Sequence, residues 1–156
     1  MPEREGVQPA AALAFALIGY IALAICGLGV TSLVSGREVI DAPGAGQVPG
    51  IAGMALSVIA VAVVLWVMLR APRPSYSAAL VAALAAFLGY LAGLCVGVVI
   101  AGVDVGLLGG AVSSFVLSWF SVVLAVAGAV AGWSAVALVR TRSQRPRWPW
   151  ESDEDE

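Results

Sequence analysis

Four long apolar runs, separated by short polar breaks, organise the chain. They fall at about Ala10 to Val34, Ile51 to Leu69, Ser77 to Val103 and Leu107 to Val139. A helix needs about 20 apolar residues to cross a hydrocarbon core about 30 Å thick, and each run is of that order or longer. None carries an ionisable residue in its middle. In lipid, every backbone polar group must be satisfied within its own segment, so these runs predict helices. The alternation of a lipid-facing barrel strand is absent. Short connections fold neighbouring helices back on one another. The expected fold is an all-α integral membrane protein with four transmembrane helices in an antiparallel bundle.

The breaks set the layout. Residues 1–9 read as an N-terminal tail, 10–139 as the four-helix transmembrane domain and 140–156 as a C-terminal tail without fixed structure. The first run follows Met-Pro-Glu-Arg-Glu-Gly and exceeds the 7–15 residues of a signal-peptide apolar region, so it reads as a retained span. Arg marks the cytoplasmic side of a membrane protein. Arg4, Arg70, Arg73, Arg140, Arg142, Arg145 and Arg147 all fall on one side of a four-span chain, with only Arg37 on the other. Both termini are therefore expected in the cytoplasm, in a multi-pass protein of a bacterial inner membrane. Pro72 and Pro74 stop helix continuation in the second connection.

Composition agrees with the pattern and narrows the chemistry. Apolar residues make up 61% of the chain and charged residues 12%, against about 45–50% and about 25% in a soluble domain. Mean hydropathy is +0.99. So few polar groups cannot cover a small soluble enzyme. All the basic residues are Arg, with no Lys and no His, which suggests a GC-rich coding sequence. The net charge of −2 is too small to point to nucleic acid. Without His the commonest general base is missing. Without Lys a Walker-type phosphate loop is excluded. Cys26 and Cys95 match no metal spacing and read as small packing residues. No catalytic, cofactor-binding or metal-binding set is expected.

Candidate packing surfaces are easier to find. Ala85, Gly89, Gly93, Gly97 and Ala101 recur every four residues in the third run, which places small residues on one helix face. Another helix backbone approaches closely at such a face, from the same chain, from a second copy or from a membrane protein partner. Gly128 and Gly132 repeat the spacing once in the fourth run. Ser114, Ser118 and Ser121 lie at i, i+4 and i+7, either lining a polar path or bonding back to the preceding turn. Asp104, between glycines, reads as a turn residue or helix cap. Trp66, Tyr76, Trp119 and Phe120 suit the aromatic belts of a bilayer. Gly19-Tyr20 before Cys26 parallels Gly89-Tyr90 before Cys95, either a duplicated hairpin or a recurrence within a restricted alphabet.

The tail runs from basic to aromatic to acidic: Arg140-Thr-Arg-Ser-Gln-Arg-Pro-Arg-Trp-Pro-Trp-Glu-Ser-Asp-Glu-Asp-Glu. Trp148 and Trp150 are candidate docking residues for a cytoplasmic protein, or anchors in the lipid headgroups. The Arg-Pro-Arg-Trp-Pro-Trp-Glu ending after a fourth Ala/Val-rich span resembles small uncharacterised membrane proteins of GC-rich actinobacteria. That resemblance implies no catalytic or binding residue. Small multidrug resistance transporters carry an acid inside the first span, and this first span has none. The expectation is a non-enzymatic inner-membrane protein, a partner-binding or accessory subunit of a membrane assembly. The alternative is a small transporter or channel subunit acting as an oligomer.

Overall fold

A computed structural model describes residues 8–36, 46–71, 75–102, 106 and 108–140. The helices are α1 (Pro9–Ser35), α2 (Val48–Leu69), α3 (Ser77–Ile100), α4 (Leu108–Val116) and α5 (Trp119–Arg140). No strand occurs among the described residues. Four of the helices are long and apolar enough to cross a membrane: α1, α2, α3 and α5.

Local chemistry explains the ends. Pro9 opens α1, where a missing N–H costs nothing. Gly36 closes it in the left-handed region at φ 62°, and its N–H donates to Ser32 O at 2.9 Å. Pro49 sits in the first turn of α2. The third run was expected to continue to about Val103, but α3 ends at Ile100 and Gly102 turns the chain at φ 69°.

The fourth run departs from the expected single helix over about 107–139. It breaks at Leu117 and Ser118 into α4 and α5. The hydroxyls of the run supply the reason. Ser118 Oγ donates to Phe115 O at 2.6 Å, and the single hydroxyl hydrogen of Ser121 is shared between Ser118 O at 2.8 Å and Val116 O at 3.1 Å. Side chains thus bond the carbonyls that end α4, a substitution that bends or breaks helices. The backbone tightens there too, with Ser118 N bonding Phe115 O and Ser121 N bonding Ser118 O.

The bundle is small inside and large outside. α2 buries Pro49, Gly53, Ser57, Val61, Leu65 and Leu69 at a strict four-residue interval. α1 buries Ala12, Ala16, Tyr20 and Ala24 at the same interval, and α3 begins with Ala78, Ala82, Ala86 and Tyr90. Ile59, Val63, Val67, Leu80, Leu84 and Leu88 face outward. Burying a large apolar side chain gains little where the surroundings are hydrocarbon, whereas small residues let backbones meet. α2 and α3 form the most extensive pairing, and α5 packs on the other side of α3. α1 rests on α5 and, less extensively, on α2. In their most apolar stretches α1 is 17% and α2 22% buried, against 39% for α3 and α5, so the first two spans lie at the periphery.

Candidate functional site

The glycines of α3 set the closest helix contact. Added to Gly93, a Cβ would lie 2.3 Å from Ala52 O and 2.6 Å from Gly53 Cα. At Gly97 it would lie 2.4 Å from Pro49 Cα, and at Gly89 2.9 Å from Ser57 Cα. Three of the five small residues in register thus face the backbone of α2 within the same chain, and the pairing is antiparallel. Ala85 and Ala101, at the ends of the stripe, are half-buried. Gly128 and Gly132 of α5 meet the opposite side of α3, where an added Cβ would lie 2.8 Å from Ala82 O and 2.7 Å from Ala78 O. α3 is therefore clamped between α2 and α5 by backbone contact on both flanks.

A buried polar chain ties three helices together at mid-span. Ser57 Oγ donates to Ala86 O at 2.8 Å, which uses its one hydrogen. Tyr20 Oη, 2.5 Å away, must then donate to Ser57 Oγ. The order is Tyr20 of α1, Ser57 of α2, Ala86 carbonyl of α3. Tyr20 and Ser57 are fully buried. Sequence reasoning missed Ser57. The available signal was that it is the sole hydroxyl in the second run, and a lone polar group in lipid needs a partner. Beside this chain, Tyr90 stacks on Phe115 of α4 with ring centroids 4.7 Å apart and packs over Gly53.

Tyr20 and Tyr90, the pair in the suspected repeat, are both buried but do different work. Their neighbouring glycines differ as well: Gly19 has open space around it, whereas Gly89 meets α2. Cys26 is exposed on α1 and Cys95 half-buried on α3, and both are free thiols. Ser114 Oγ donates to Ala111 O at 2.9 Å, so it, Ser118 and Ser121 all bond to the backbone of their own segment. No buried side-chain polar atom among the described residues lacks a partner. No cluster of three or more metal-ligating side chains forms among them either.

Among the described residues, the charged side chains sit at one end of the bundle. Arg70 lies 3.9 Å over the Trp66 ring and Arg140 lies 5.1 Å over the Tyr76 ring, both within cation–π range. These are the only ionisable Arg, Lys, Asp or Glu side chains among the described residues. Asp104, Trp148 and Trp150 lie outside the described residues. Between α3 and α5 a groove of about 370 Å³ opens outward, lined by apolar side chains and by Ser121.

Four apolar spans, a core of small residues in backbone contact and an arginine–aromatic girdle at one end define the class: a multi-pass helical membrane protein. Within that class, the chain belongs to a family of unknown function, DUF6121, whose match covers residues 4–156. No curated protein and no solved structure matches the chain.

Proposed function

We propose that the protein is a non-enzymatic accessory subunit of an assembly in a bacterial cytoplasmic membrane. Its bundle is a closed scaffold, and its cytoplasmic tail, through Trp148 and Trp150, contacts a partner protein. The observation that carries this is the use of the hydroxyls within the spans. Tyr20 and Ser57 bond across helices, and Ser114, Ser118 and Ser121 bond to nearby carbonyls. A conduit needs polar groups that face a shared path, as in channels and transporters. Here Tyr20 and Ser57 are engaged in holding helices, the three serines are engaged with local carbonyls, and the groove touching Ser121 is otherwise lined by apolar side chains. The inward placement of both ends rests on the Arg distribution. The Arg-without-Lys usage and the Trp-Pro-Trp ending fit a GC-rich actinobacterial source.

The test is affinity purification in mild detergent of the wild type and of the Trp148→Ala, Trp150→Ala double variant. The double variant should insert and fold normally yet lose a partner that the wild type retains. Identical partners on both forms, or none on either, would overturn the tail's docking role.

A further inference from the structure

The α3 lining of the groove begins at Leu80, one turn from Tyr76 and the arginine stacked on it. On α3, Leu80, Leu84 and Phe87 line the groove, and Tyr76 lies four residues before Leu80, on the same face. On α5, Val122 lines it, and Arg140 follows about five turns later, again on the same face. The two faces converge at Tyr76, whose ring carries the Arg140 guanidinium at 5.1 Å. Trp133, on the same face of α5, is 57% exposed near that end. Ser75 and Ser77 are exposed and hydrogen-bonded to each other at the start of α3.

We propose that this face seats one anionic phospholipid. The acyl chain lies in the groove along Leu80, Leu84, Phe87, Val122 and Ala125, and the phosphate rests on Arg140. Three observations carry the assignment. First, the charge is complementary: a guanidinium stacked on Tyr76 still offers in-plane N–H donors to a phosphate. Second, the length fits. From Tyr76 to Phe87 the helical rise is about 16 Å, close to a fatty-acyl chain reaching the middle of a bilayer whose core is about 30 Å thick. Third, the groove is lined by apolar side chains apart from Ser121, as a hydrocarbon chain requires. The seat depends on the placement of the four spans in a bilayer but not on the tail or on which side the termini face.

The experiment is native mass spectrometry of full-length protein from detergent, after addition of phosphatidylglycerol or of phosphatidylcholine with the same chains. The wild type should retain phosphatidylglycerol about fivefold more than phosphatidylcholine, the worth of one Arg near an anionic surface. Arg140→Gln should erase that preference while leaving the melting temperature unchanged. Ala125→Phe, which fills the groove, should lower retention of both lipids. Excess inorganic phosphate should fail to displace the lipid, because a free anion has no chain for the groove. Equal retention of the two lipids by the wild type, or a full preference surviving in Arg140→Gln, overturns the seat. Displacement by inorganic phosphate also overturns it, in favour of a simple anion site. Membrane placement is checked separately: wild-type protein should stay with membranes after an alkaline carbonate wash. If it washes off, the four-span reading fails together with the seat.

Discussion

Gly93→Ala adds one methyl group at the tightest point of the bundle. That Cβ would stand 2.3 Å from Ala52 O, 2.6 Å from Gly53 Cα and 2.7 Å from Ala52 C. All three are backbone atoms of α2, so no rotamer change can make room. The two helices must separate by about 1 Å, and a gap of that size forfeits a quarter to a half of each contact's attraction. Overpacking of this kind costs about 1–3 kcal/mol. Replacing Gly by Ala in a helix returns about 1 kcal/mol; a clash with three backbone atoms belongs at the upper end of the overpacking range, which leaves a net loss of about 2 kcal/mol. For a domain of this size the melting temperature should fall by roughly 4–8 °C. The matched control is Gly19→Ala, where an added Cβ meets nothing within 4 Å. It gains the helix term without a clash and should hold or raise the melting temperature. Thermal unfolding of both variants in one detergent, followed by circular dichroism, checks the pair. Equal shifts for Gly93→Ala and Gly19→Ala would refute the close α2–α3 contact.

Three further outcomes are expected. A double-mutant cycle on Tyr20→Phe and Ser57→Ala should give a coupling energy of about 0.6–1.7 kcal/mol, the range of hydrogen bonds between membrane helices, and unfolding titrations in detergent would measure it. Ser118→Ala with Ser121→Ala should let α4 and α5 join, so amide hydrogen exchange at Trp119, Phe120 and Val122 should slow, because N–H groups in the first turn of a helix lack intrahelical acceptors. A C-terminal reporter active only outside the cytoplasm should stay silent, and a clear signal from it would reverse the topology.

Much of the architecture is legible along the chain. Bilayer thickness alone demands four apolar runs of these lengths, and backbone hydrogen bonding without water demands that they be helices. Pro9 marks the start of the first helix by its fixed φ, and Gly36 marks its end by its freedom to adopt the left-handed region. The four-residue recurrence of Gly89, Gly93 and Gly97 marks a face built for close approach, because side-chain size survives as a signal where hydropathy does not. Tertiary structure decided the rest. Hydrocarbon and protein interior are about equally apolar, so hydropathy cannot say which face of Leu-rich helices turns inward. Only the packed bundle shows Leu80 and Leu84 outside, Ala82 and Ala86 inside, and the glycine stripe against α2 of the same chain. The break at Leu117 and Ser118 depends on hydroxyls choosing local carbonyls over another helix. That choice is settled by what stands within reach after folding. The Tyr20–Ser57–Ala86 chain has the same origin, since it joins residues 37 and 29 positions apart that meet only once α1, α2 and α3 are side by side.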